Sequence, residues 1–171
     1  MSAPAWSSVF WAESSTASIA DVRVWRLTRK AYQKLDGSGA RLYGGRWSSE
    51  GRPVVYSSST LALAALEYLV HVDIEDVPDD LVALAIRVPE DAPAEFVKLD
   101  ELPGDWARLP GHPECVRFGD RWLANATALL LHVPSAVVPE ETNVLINPAH
   151  PDARRVRIES WRRFVFDPRL I

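Results

Sequence analysis

The run from Tyr43 to Val70 constrains this chain more than any other part of it. It opens on Gly44-Gly45, where the missing Cβ atoms let backbone approach a ligand closely. Arg46 and Trp47 follow at once: a guanidinium that can pair with phosphate and an indole that can stack on a ring. Pro53-Val54-Val55-Tyr56 is strand-like, and the Ser/Thr run that ends at Thr60 suits a helix N-cap. From Leu61 to Val70 every residue is apolar or aromatic except Glu67. A strand thus passes through a cap into a nearly all-apolar helix. The one carboxylate on that helix is costly to bury unless it is paired or functional.

A length of 171 residues suits a single domain. One cysteine, Cys115, rules out a disulfide framework within the chain and favours a reducing, cytoplasmic setting. No apolar run is long enough for a membrane span. Residues 1–20 hold Trp6, Phe10 and Trp11 among serines and alanines but no Lys or Arg, so they do not read as a secretory signal. They are expected to form an extension that packs its tryptophans on a domain covering residues 21–171.

The net charge of −4 is unevenly placed. Residues 20–52 carry eight basic and three acidic side chains, a balance of +5, whereas residues 67–120 balance to −10. A nucleic-acid binder would be basic overall; a local basic segment suits a small anionic ligand.

Along the chain, Val22–Leu27 alternates as a strand, Lys30–Leu35 reads as a short helical piece, and Asp36–Gly39 as a turn. Pro53–Ser57 is expected as a strand and Thr60–Val72 as a helix. Leu81–Val88 and Glu95–Leu99 read as strands, residues 100–118 as irregular and proline-rich, and Asp120–His132 as a second helix. Short strands are expected at Val133–Val138, Asn143–Ile146, Val156–Ile158 and Arg163–Phe166. Mixed strands and helices without a βαβ rhythm make the class α+β.

Several chemistries are missing. Gly37-Ser38-Gly39 is followed by Leu42 where a dinucleotide fingerprint needs its third glycine, so it reads as a turn. There is no P-loop. Four scattered histidines and one cysteine make a poor metal set, and no metal is expected. What remains is a group of candidates, each with two readings. Glu67 is either a surface partner of His71 at i, i+4 or a working carboxylate. Arg26 is an outward strand side chain or a ligand contact. Arg46 is a loop arginine or a bidentate phosphate ligand. Tyr56 is a core phenol or a cleft residue, and Ser135 caps a turn or binds.

Taken in order, the stretches resemble the RES domain, the toxin component of a bacterial toxin–antitoxin pair. They are Val24-Trp25-Arg26-Leu27, Gly44-Gly45-Arg46-Trp47, Pro53–Tyr56, Ala64-Ala65-Leu66-Glu67, Gly119-Asp120-Arg121-Trp122, Val133–Glu140, Asn143–Pro148 and Phe166–Leu170. Ser48 departs from the asparagine usual in the family but keeps a hydroxyl for hydrogen bonding.

The resemblance implies a mixed, split β-sheet like that of the ADP-ribosyltransferase toxins, and cleavage of the nicotinamide–ribose bond of NAD⁺ as substrate, with no further cofactor. It implies Glu67, Arg26 and Tyr56 as catalytic residues, and Arg26, Arg46, Trp47, Tyr56 and Ser135 around the dinucleotide. It also implies a cytoplasmic toxin paired with an Xre-type helix-turn-helix antitoxin, with room for a dimer in that complex, and no contact of its own with nucleic acid or membrane. Hydrolysis, phosphorolysis and protein ADP-ribosylation share this donor site. A non-catalytic nucleotide-binding module is the reading from another class.

Overall fold

A computed structural model describes residues 22–109 and 111–170, so the expectation for the first twenty residues lies outside the described part. Among the described residues, seven strands form one mixed sheet in the order β4-β5-β6-β2-β1-β3-β7. They are β1 Val22–Arg29, β2 Val55–Ser58, β3 Leu81–Val88, β4 Ala94–Phe96, β5 Leu130–Pro134, β6 Thr142–Ile146 and β7 Arg157–Arg163. Every pairing is antiparallel except β4 with β5. Three α-helices accompany them: α1 Ser38–Tyr43, α2 Leu61–Leu69 and α3 Pro113–Asn125. The α+β architecture and the mixed sheet are as the sequence predicts.

The sheet is split at its middle. β1 pairs with β3 along all eight of its residues, but touches β2 at one register pair, Trp25↔Ser58. β2 instead follows β6 from Val55↔Ile146 to Ser58↔Asn143. The two halves therefore diverge from Ser58, and the gap is walled by α2 and the Gly44–Trp47 loop.

Burial explains the strand sequences. β3 lies between β1 and β7 and is apolar on both faces: Val82, Leu84, Ile86 and Val88 join one core with Val24, Val55 and Ile146, while Leu81 and Ala83 meet Ala64 of α2. α2 starts where Thr60 Oγ1 accepts from Leu63 N at 3.1 Å, as its sequence foretells. A third cluster, with Trp47, Trp106, Cys115 and Trp122, fills the space between α3 and β5–β6.

Four expectations need correction. The second helix is Pro113–Asn125, not Asp120–His132. Proline is tolerated in the first turn, where His112 Nδ1 accepts from Glu114 N, so a segment that looks irregular is helical. Ala126 ends the helix at φ 50°, and the apolar residues after it belong to β5, which ends at Pro134. Asp36–Gly39 is the entry to α1: Asp36 Oδ1 accepts from Ser38 N at 3.0 Å. The last strand is a single edge strand, Arg157–Arg163. Its exposed Glu159-Ser160-Trp161 hides the period that apolar alternation would show, and backbone pairing to β3 holds it.

Among the described residues no helix is long and apolar enough to cross a membrane.

Candidate active site

A cleft of about 440 Å³ opens where β1 and β2 part. That is within the ~300–1,000 Å³ usual for small-ligand sites. Arg26 and Thr28 come from β1, Tyr56 and Ser58 from β2, Glu67 and Tyr68 from α2, and Asn143 from β6. Gly44 to Trp47 form one rim, and His71 stands just beyond α2.

Glu67 is held rather than merely placed. Its Oε1 accepts from Ser135 Oγ at 2.7 Å and from Asn143 Nδ2 at 2.5 Å. Ser135 is itself fixed, because its Oγ accepts from the backbone nitrogens of Val137 and Val138, each at 3.0 Å. Asn143 is fixed from the other end, where Ser58 Oγ donates to its Oδ1 at 2.6 Å. Oε2 has no hydrogen-bond partner among the described residues, so one carboxylate oxygen remains for a ligand. The i, i+4 reading is amended: His71 meets the backbone oxygen of Glu67, Nδ1 to O 2.7 Å, and not its carboxylate.

Arg26 supplies the opposing charge. Its guanidinium is half-buried, and its hydrogen-bond partner is the Lys34 carbonyl at 3.2 Å. No carboxylate among the described residues pairs with it. Burial lowers its pKa from the ordinary arginine value, and the field of Asp36 offsets part of that. A partly desolvated cation that faces a cleft and has no ion-paired carboxylate among the described residues can receive an anion.

Arg46 is less free. Its Nη1 donates to the carbonyls of Trp106 at 2.8 Å and Arg108 at 3.0 Å, and the guanidinium lies 5.8 Å from the Trp106 ring centroid. It borders the cleft while tying down the segment around Trp106. The Trp47 indole is 3% exposed and packs on Trp106 and Phe118, so its ring serves the core while its backbone serves the rim. Ser135 is fully buried behind Glu67. Its Oγ meets the Glu67 carboxylate, and Ser135 does not itself line the cleft.

Tyr56 organises the glycine loop. Its Oη accepts from Trp47 N at 3.1 Å and shares a 3.1 Å hydrogen bond with Ser48 Oγ. Ser48 therefore has a defined partner. A Cβ on Gly45 would lie 2.6 Å from that phenol oxygen, which is why the loop needs glycine there. Burial pushes the Tyr56 phenol above its ordinary value and keeps it neutral. From the other side, Asp120 of α3 accepts from Ser49 N at 3.0 Å and Ser49 Oγ at 2.5 Å. Gly119 permits this approach, since a Cβ there would fall 1.8 Å from the Trp47 carbonyl oxygen.

Sequence reasoning therefore finds Glu67, Arg26, Tyr56 and Ser135 together in one place. It misses Ser58 and Asn143. Asn143 opens one of the matching blocks, and a polar residue at the start of an otherwise apolar strand is the available signal. No group of three His, Cys, Asp or Glu side chains among the described residues could hold a metal.

The chain is similar to several known proteins over most of its length. It is 40% identical over 153 residues to a protein of a Sphingobium species named Prs ADP-ribosylating toxin, covering 86% of this chain and 95% of the relative. It is 39% identical, over 86% of this chain and 96% of the relative, to a protein of Photorhabdus laumondii named Toxin Res. A Pseudomonas putida protein of the same name is 40% identical over 80% of this chain and 91% of its own. The fold is that of a chain in the crystal structure of the M. tuberculosis MbcT–MbcA toxin–antitoxin complex, with TM-score 0.71 at 16% identity over 85% of each chain. Residues 23–167 match the RES domain, a span that takes in every cleft residue from Arg26 to Asn143, and the chain belongs to that family.

Proposed function

We propose that this protein is a cytoplasmic toxin that consumes NAD⁺ by breaking the bond between nicotinamide and ribose. The observation that carries the reading is the pairing, across one cleft, of a carboxylate with a free oxygen and a half-buried guanidinium with no acidic partner among the described residues. The chemistry asks little more. Nicotinamide leaves as a neutral ring from a cationic glycosidic nitrogen, and the ribose becomes oxocarbenium-like. Glu67 Oε2 stabilises that cation, and Ser135 and Asn143 hold the carboxylate so that nothing reorganises as charge develops. Arg26 binds the pyrophosphate, Arg46 adds positive charge at the rim, and Tyr56 borders the nicotinamide ribose.

Transfer of the ADP-ribose to a protein is the second reading, and the name of the Sphingobium relative favours it. Water and inorganic phosphate are the other acceptors compatible with the same donor site. An antitoxin of the Xre type, filling the cleft and competing with the phosphates for Arg26, is the partner this reading requires. The neighbouring fold was solved in a complex with an antitoxin, which supports a partner of that kind.

The test is to incubate purified chain with NAD⁺ and follow nicotinamide release, with Glu67→Gln as control. Gln keeps an acceptor oxygen for Ser135 and Asn143, so the variant folds, but it loses the charge. The expected loss is on the order of 10²–10³ in rate. Wild-type protein that binds NAD⁺ without releasing nicotinamide would leave a nucleotide-binding module. Label found on a protein rather than in free ADP-ribose would establish the transferase.

A further inference from the structure

Among the described residues the ionisable side chains lining the cleft are Arg26, Arg46, Tyr56, Glu67, Tyr68 and His71. The arginines have no lone pair to offer a proton. Burial pushes both phenols above their ordinary value, and Tyr56 Oη is already engaged with Trp47 and Ser48. Glu67 spends Oε1 on two hydrogen bonds, and in the chemistry above its other oxygen faces the ribose. His71 is the remaining base.

Its geometry fixes which nitrogen is free. Nδ1 lies 2.7 Å from the backbone oxygen of Glu67. A carbonyl oxygen only accepts, so Nδ1 carries the proton, and a ring with one proton then has its lone pair on Nε2. The same bond ties the exposed imidazole to the turn of α2 that bears the catalytic carboxylate. His71 and Glu67, four positions apart at the end of α2, thus line one cleft and are joined by that bond.

We propose that His71 Nε2 is the general base for the acceptor in the NAD⁺ reaction, an inference that rests on the function proposed above. As the glycosidic bond breaks, its electron pair leaves with neutral nicotinamide. The acceptor's oxygen or nitrogen forms the new bond to the ribose C1′, and its proton passes to Nε2 and then to solvent. With water, NAD⁺ and H₂O give nicotinamide, ADP-ribose and one proton. The acceptor class follows from the base: a nucleophile that must lose a proton, namely water or a protein hydroxyl or amine. A nucleophile that is already an anion needs no such help.

A histidine that bonds a carbonyl near a helix C-terminus can also serve simply as a cap, and the experiment separates the two roles. His71→Asn keeps a side-chain N–H for the Glu67 carbonyl and removes the lone pair; His71→Gln removes the lone pair as well. Both are expected to bind NAD⁺ with wild-type affinity and to release nicotinamide at least ~10²-fold more slowly with water as acceptor. Sodium azide, an anionic nucleophile, should restore turnover in both and give ADP-ribosyl azide by mass spectrometry. Glu67→Gln should stay inactive in azide, because its defect lies in stabilising the cation. Wild-type rates in the His71 variants, or slow variants that azide does not rescue, would overturn the role of His71 and leave the NAD⁺ reading intact. Wild-type protein that releases no nicotinamide would overturn that reading itself.

Discussion

Asn143 donates from Nδ2 to Oε1 of Glu67 at 2.5 Å, across 76 residues of sequence. The amide can present only its nitrogen to a carboxylate, and Ser58 holds it that way by donating to Oδ1. Ser58 is also the residue at which β1 and β2 make their one register pair, opposite Trp25. The point where the sheet divides is therefore the point that orients the carboxylate.

Asn143→Asp should replace that donor with a like charge. NAD⁺ consumption should fall, because two like charges repel where a hydrogen bond had held the carboxylate. Asn143→Ala should lower kcat by ~10²-fold with little change in KM, the signature of misplaced chemistry rather than lost binding. Steady-state kinetics of both variants check this. Wild-type kcat in Asn143→Asp would mean that the pair is not coupled during turnover.

Arg26 and Arg46 should not be equivalent, although the family resemblance places both around the dinucleotide. Arg26 has one carbonyl partner and no counter-ion among the described residues, whereas Arg46 already spends Nη1 on two carbonyls. Arg26→Ala should cost NAD⁺ most of its binding with little loss of stability. Arg46→Ala should lower Tm by releasing the segment around Trp106, and weaken NAD⁺ less. Lysine at 26 should rescue in part, since it lacks the planar fork. Calorimetric titration on the Glu67→Gln background and thermal melts separate the two; equal affinity losses would count against this assignment.

Gly119→Ala tests how α3 serves the loop. The added Cβ would meet the Trp47 carbonyl at 1.8 Å, and backbone cannot give way as a flexible side chain can. The helix must shift, breaking the Asp120 contacts to Ser49 and displacing the rim that carries Arg46. Overpacking of this kind costs ~1–3 kcal/mol, so Tm and NAD⁺ affinity should fall together. Loss of neither would show that α3 and the loop move independently.

How much of this is legible in the sequence depends on how local the signal is. Thr60, the apolar α2 and its single carboxylate sit within eight residues, so cap, helix and candidate acid can be read directly. The start of α3 is masked, because prolines and glycines before residue 113 suggest a loop where proline in fact favours a helix start. Its end is obscured by the apolar run Ala128–Leu131, which could continue a helix or begin a strand, and periodicity alone does not resolve so short a run. Asn143 and Ser58 cannot be assigned from sequence, because their roles exist only once register sets β2 beside β6. The two arginines can be found but not ranked, since ranking them requires knowing which carbonyls stand nearby.

Glu159 offers a prediction about pH far from the cleft. On the edge strand β7 its carboxylate accepts from Arg23 Nε at 2.7 Å and from Arg87. These hydrogen bonds, Arg23 first, lower its pKa from 4.5 to about 2. A carboxyl whose pKa is depressed in the folded state stabilises the fold fully above its unfolded value. That contribution is lost as pH falls through the folded value, so the window runs from about 4.5 down to about 2. Glu159→Gln should therefore flatten the acid limb of the stability curve in that window. It should leave the difference between wild type and variant constant at neutral pH and smaller in high salt, because the pair is solvent-exposed and screened. Urea melts at several pH values with and without salt supply the measurement. Parallel curves for wild type and variant from neutrality down to the acid end would show that the β1–β3–β7 ion cluster does not set acid stability.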